Sequence, residues 1–100
     1  MTKPPKLTEE QLREALADLP AWNLEDDKLH RKLQFQDFKA ALGFMVAVGC
    51  HAEAKNHHPE WFNVYNRVEV WLTTHDAGGL TEKDIALARE IDRRAHGESA

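Results

Sequence analysis

The chain has a single cysteine, Cys50, in 100 residues. No intramolecular disulfide can form, which excludes a secreted disulfide scaffold. Long apolar runs are missing too. The longest nearly apolar stretch, Ala40 to Cys50, is far shorter than the roughly 20 residues a membrane-crossing helix needs. Positive charge is not in surplus: 13 Lys and Arg stand against 17 Asp and Glu, for a net charge of −4. No basic run or aromatic-basic stripe offsets that balance, which argues against duplex nucleic acid as a direct partner. Met1 to Leu7 lacks the apolar centre of a signal peptide, and no repeat or low-complexity segment interrupts the chain. These absences leave a cytoplasmic protein as the default expectation.

What is present reads as one α+β domain over residues 1–100, with loose ends expected at 1–6 and 97–100. With 42% hydrophobic and 30% charged residues the chain has the composition of a globular protein. A domain of this size buries only about two-thirds of its unfolded surface, so self-association would add useful burial.

Thr8 with Gln11 forms a capping-box pattern ahead of Leu12, Ala15, Leu16 and Leu19, a first helix that Pro20 stops. Trp22 and Leu24 alternate with polar residues, and Asp26-Asp27 marks a turn. Leu29, Arg31, Leu33 and Phe35 then share one face of a second strand that Arg31 interrupts. Asp37 caps a helix running from Phe38 to about Asn56. On it Phe38, Leu42, Met45 and Gly49 form one stripe, while Phe44, Val48 and His51 lie elsewhere. That wide apolar girth exceeds what one buried face needs, and predicts two contacts, one with the chain's own sheet and one with another subunit. Gly43 and Gly49 would permit close approach. His57-His58-Pro59 ends the helix. Two strands follow, with Val68, Val70 and Leu72 alternating against Glu69, Trp71 and Thr73. After a loop at Asp76-Ala77-Gly78-Gly79, Thr81 and Asp84 open a last helix carrying Ile85, Leu87, Ala88, Ile91 and Ala95. The order α-β-β-α-β-β-α predicts a four-stranded antiparallel sheet with helices packed on one face.

Unusual residues concentrate between Glu53 and His75. Glu53 and His57 are four apart, so helical geometry predicts that they neighbour each other, and a carboxylate beside an imidazole favours its protonated form. His75 follows a strand directly. Three imidazoles at one pocket could donate and accept protons near neutrality, since a free histidine titrates near pH 6.5.

The run His57-His58-Pro59-Glu60-Trp61-Phe62-Asn63-Val64-Tyr65-Asn66 resembles the signature block of the pterin-4a-carbinolamine dehydratases. That family's animal members double as a dimerisation cofactor for a homeodomain transcription factor. The family pattern sets an acidic residue before a paired histidine, then Pro and an aromatic, and later a His and an Asp. Glu53, His57, His58, Pro59, Trp61, His75 and Asp84 match it. The resemblance continues through Trp22, Phe35-Gln36-Asp37-Phe38, Gly43-Phe44-Met45, Thr73-Thr74-His75 and Leu80-Thr81-Glu82-Lys83-Asp84, and so covers most of the chain.

The resemblance implies a lyase that removes water from a 4a-hydroxy-tetrahydropterin to give quinonoid dihydropterin, with neither cofactor nor metal. It implies His57 and His75 as an acid/base pair, His58 mainly as a holder of the pterin, and Glu53 as the residue that orients His57. Pro59, Trp61 and Thr74 with Asp76 and Ala77 would line the pterin site, and Asp84 would support the His75 loop. Partners would be the small pterin, an aromatic amino-acid hydroxylase upstream, and further copies of the chain, as a homodimer or homotetramer through Phe38–Lys55. Glu69 stands where animal members usually carry histidine, and Lys83 where they commonly carry arginine. The first of these makes the transcriptional role less transferable.

Plainer readings compete. The two adjacent histidines could be a polar helix end, and His75 a strand cap. A metal centre could draw on Glu53, His57, His58 and His75, although adjacent histidines rarely converge on one ion and no His-Glu-x-x-His helix exists. His30, His51 and His96 read as surface or interface residues, and Cys50 as a small buried hydrophobe. A non-catalytic assembly module with the same fold is the alternative function, and a metal-dependent hydrolase of small heterocycles a third.

Overall fold

The computed structural model describes residues 4–99, apart from the side chains of 96–99. Three helices and four strands follow in the expected order. Helix α1 spans Glu9–Ala17, and its capping box forms, with Gln11 N–H on the Thr8 hydroxyl and Thr8 N–H on the Gln11 side chain. Strands β1 (Asn23–Glu25) and β2 (Lys28–Gln34) make a hairpin whose two turn residues, Asp26 and Asp27, take positive φ of 52° and 63°. This is the pairing of dihedrals that matches strand twist, and aspartate tolerates it. Helix α2 is Phe38–Ala54, with Asp37 accepting from Ala40 N–H at 2.9 Å. Strands β3 (Glu60–Val64) and β4 (Arg67–Leu72) form a second hairpin, and helix α3 covers Glu82–Ser99. Residues 1–3 and 100 of the expected loose ends, and the side chain of His96, lie outside the described residues. Leu7 N–H donates to the Leu80 carbonyl at 2.8 Å, which ties the start of the chain to the start of α3.

The sheet is antiparallel throughout, in the order β1-β2-β4-β3. Register sorts its side chains. Leu29, Leu33, Val68, Val70 and Leu72 are buried beneath α2 and α3, together with Phe44, Val48, Ile85 and Ile91. Arg31, expected to interrupt that face, does so with a partner: its guanidinium bonds Asp92 of α3 at 2.5 Å.

Three sequence expectations change. His30 is buried, not superficial: it lies on the opposite sheet face of a central strand, bonded to Glu69 at 2.6 Å and Asn23 at 3.1 Å and stacked on Trp71. Cys50 is exposed. The buried line on α2 is Ala41, Phe44, Val48 and Ala52, and position 50 falls about 200° round the helix from Val48. Gly49 seats Trp61, whose ring would lie 4.0 Å from a Cβ added there, whereas a Cβ on Gly43 would meet nothing. The expected stripe of Phe38, Leu42, Met45 and Gly49 divides: Met45 packs against the core, while Phe38 and Leu42 stay exposed, in line with Val46.

Candidate active site

The end of α2 aims the first histidine. Lys55 caps the helix, and Asn56 turns left-handed at φ 53°. Asn56 N–H then reaches the Glu53 carbonyl and His57 N–H the Ala52 carbonyl, at 3.1 and 3.0 Å. This pair of bonds is the Schellman closure, with asparagine in the position that glycine usually takes. Because the chain leaves the helix here, positions 53 and 57 no longer share a face. Glu53 does not meet His57. Its carboxylate bonds His58 Nε2 at 2.8 Å, in an exposed pair.

His57 turns inward and bonds Asp84 at 2.7 Å through its Nε2. Asp84 is fully buried, and its other oxygen accepts from Thr81 N–H at 2.9 Å and from the Thr74 hydroxyl at 2.7 Å. Thr74 spends its only proton on Asp84, so Thr81 must donate in the 2.8 Å contact between the two hydroxyls. Three donors to one carboxylate offset the cost of burying its charge. Thr74, Thr81 and Asp84 are three of the four buried polar residues described, the fourth being His30. Asp84 thus bonds Thr74, at the base of the His75 loop, and also His57, a contact that the spacing does not reveal.

Thr74 also pairs with Gly79 through two backbone bonds, closing a loop that contains the 3-10 turn His75–Ala77 and the left-handed Gly78 at φ 74°. His75 stands exposed at the head of this loop, with Nε2 at 3.2 Å from Glu60. The other Glu60 oxygen accepts from Lys28 at 2.7 Å. The Lys28 hydrogen bond, with a smaller contribution from His75, holds the Glu60 carboxyl below the usual carboxylate range against the opposing effect of burial.

All three imidazoles border one open cavity of about 840 Å³, together with Pro4, Asn56, Pro59, Glu60, Thr73, Thr74, Asp76 and Lys83. Each bonds a carboxylate through Nε2. An ionised carboxylate only accepts, so Nε2 carries the hydrogen and Nδ1 is left with a lone pair in the neutral ring. Among the described residues no hydrogen bond engages those Nδ1 atoms. The result is three rings beside one cavity, each fixed at Nε2 and with its second nitrogen open to protonation.

The sequence profile of the family described as Pterin 4 alpha carbinolamine dehydratase matches residues 5–94. The chain belongs to the pterin-4a-carbinolamine dehydratase family. A protein of Solibacter usitatus is 53% identical over 92 residues, covering 92% of this chain and 97% of its own. One of Burkholderia orbicola is 55% identical over 92 residues, covering 90% of each. Both carry the name pterin-4-alpha-carbinolamine dehydratase, given provisionally. The crystal structure of a transcriptional coactivator/pterin dehydratase from Brucella melitensis superposes with a TM-score of 0.87 at 46% identity, covering 90% of this chain and 98% of that one.

Of the residues that the dehydratase resemblance singles out, the fold brings His57, His58, Pro59, Thr74, His75 and Asp76 to the cavity wall, with Glu53 behind His58. Trp61 and Ala77 are not in that wall. Strand alternation turns Trp61 toward α2, where it packs on the core beside Gly49. Glu60 and Lys28 went unremarked in the sequence. Glu60 lies inside the signature block, but Lys28 is 32 residues away from Glu60, and only strand pairing joins the two. Among the described residues no three His, Cys, Asp or Glu side chains are grouped to hold a metal ion, and no helix is long and apolar enough to cross a membrane.

Proposed function

We propose that this chain dehydrates a 4a-hydroxy-tetrahydropterin to quinonoid dihydropterin by histidine acid/base chemistry, without metal or cofactor. In this reading one protonated imidazole gives its proton to the C4a hydroxyl, which leaves as water when the C4a–O bond breaks. A neutral imidazole takes the N5 proton, and the N5 electrons form the C4a=N5 double bond. One water leaves, and the enzyme's proton count is unchanged. Such positioned groups contribute about 10²–10⁴-fold each.

The observation that carries the reading is the convergence of His57, His58 and His75 on one cavity, each held through Nε2. His57 and His75 are the acid/base pair. His57 is backed by a buried carboxylate and His75 heads a pinned turn, while His58, paired with the exposed Glu53, holds the pterin with Pro59, Thr74 and Asp76. The substrate is what an aromatic amino-acid hydroxylase leaves behind when it oxidises tetrahydropterin, so the enzyme serves pterin recycling in the cytoplasm. The exposed stripe Phe38, Leu42 and Val46 on α2 is where copies of the chain pair, as homodimer or homotetramer.

The test is quinonoid dihydropterin formation coupled to a hydroxylase, with chelator-stripped protein. The stripped enzyme is expected to keep its rate, and His57→Ala and His75→Ala to lower turnover at least tenfold each while melting as the parent does. Loss of rate on stripping, restored by zinc, refutes the metal-free chemistry. Full activity in both alanine variants refutes the acid/base assignment.

A further inference from the structure

Glu60 divides its two oxygens between different elements. Oε1 accepts from Lys28, at the start of β2, and Oε2 meets His75 Nε2, at the head of the turn after β4. Register explains the reach. Glu60 pairs with Trp71 and Leu29 with Leu72, so Lys28 and Glu60 flank the end of β4 on the open face of the sheet. His75 follows that strand end closely. Asp26-Asp27 closes the hairpin immediately before Lys28 and holds it in place.

We propose that Glu60, anchored by Lys28, is the positioning residue for His75 and keeps the hydrogen of its neutral ring on Nε2, so that Nδ1 faces the pterin chemistry. This rests on the dehydratase reading for its catalytic meaning, though not for its geometry. His75 is the most exposed of the three histidines, its side chain 78% accessible against 11% for His57. Packing therefore does little to orient it. The Glu60 contact is its one hydrogen-bond tether from a side chain among the described residues. Lys28 fixes the carboxylate from the far side, so the tether does not swing with a free glutamate. An acceptor-only partner admits one ring tautomer, whereas an amide or a water would admit both. The charged and titratable groups near Glu60 are Lys28 from β2, His75 from the turn, and His57, His58, Asp76 and Lys83 around the same cavity. Lys28 and His75 are the two that lower its titration.

Long-range ¹H–¹⁵N spectra of the imidazole rings, taken above the His75 titration, read the tautomer without any substrate. The intact protein is expected to show His75 protonated on Nε2, and Glu60→Gln to show a mixture of both tautomers. An unchanged His75 tautomer in Glu60→Gln overturns the proposal, whatever its activity. In the coupled assay Glu60→Gln should lower kcat roughly tenfold with KM within about twofold, since it disturbs a group used in the reaction step and not the pterin contacts. Lys28→Met tests the anchor in a side chain that contributes nothing to the core. Without the ammonium, Glu60 takes up its proton at higher pH, a change that its side-chain carboxyl ¹³C shift reads directly. A Glu60 titration that stays put in Lys28→Met overturns the anchoring role. Absence of dehydration by the unaltered enzyme would defeat the proposed reaction, and the ring spectra would still decide the tether.

Discussion

Asp84 is the residue on which both halves of the site depend. It accepts from His57, Thr74 and Thr81 while wholly out of solvent. An amide in its place would turn a donor toward groups that are themselves donors, and a buried group left without its partner costs about 1–3 kcal/mol, more where charge is involved. Asp84→Asn is expected to lose about 2–3 kcal/mol in urea unfolding, and to lower turnover by freeing the His57 ring. Stability equal to the parent would show that the site does not depend on Asp84. The histidines themselves were legible as candidates, because three imidazoles near a helix end and a strand end have no packing reason to be there. Their carboxylate partners were less so. Helical spacing points Glu53 at His57, and that spacing holds only while the helix lasts.

At the scale of elements, the end of α2 decides where His57 goes. Asn56 sits at φ 53°, a region that costs most L-residues about 1–2 kcal/mol and that asparagine enters more readily. Asn56→Gly is expected to keep stability and activity. Asn56→Val, β-branched, is expected to lose about 1–2 kcal/mol in thermal or urea melts and to lose activity as His57 is displaced from Asp84. Equal melting of the two variants would contradict the closure. The His75 turn follows the same logic at the other end of the site: Thr74 and Gly79 close its base and Gly78 makes the reversal. Helix starts were easier to read than helix ends. Thr8 and Asp37 announce themselves because a capping side chain acts on neighbours three residues away, but the path after a helix depends on what the departing chain meets.

For the molecule as a whole, α2 is apolar round more of its surface than one sheet can cover. Ala41, Phe44, Val48 and Ala52 face the core, while Phe38, Leu42 and Val46 are 44–57% accessible. Burying three such side chains against a second copy would contribute about 1.5–3 kcal/mol each as an upper bound. Sedimentation at micromolar concentration is expected to show an oligomer, and Leu42→Glu with Val46→Glu to yield smaller species that remain folded. A parent that sediments as a monomer would remove α2 from any interface. The sheet's open face carries charged pairs and the part-buried His30–Glu69 contact, together with the exposed Phe62 and Val64 of β3.

By itself the amino-acid order determined the element sequence, the alternation that buries Val68, Val70 and Leu72, both helix caps, and the histidines worth testing. Each of these rests on interactions within a few residues, where periodicity and side-chain reach are enough. Only the tertiary structure decided that Asp84 holds His57, that Glu53 holds His58, that Trp61 turns into the core, and that Lys28 stands behind Glu60 and His75. Those partnerships join residues from separate elements through strand register and the exit direction of a helix. Such geometry is settled by packing across the whole chain, and local spacing carries no record of it.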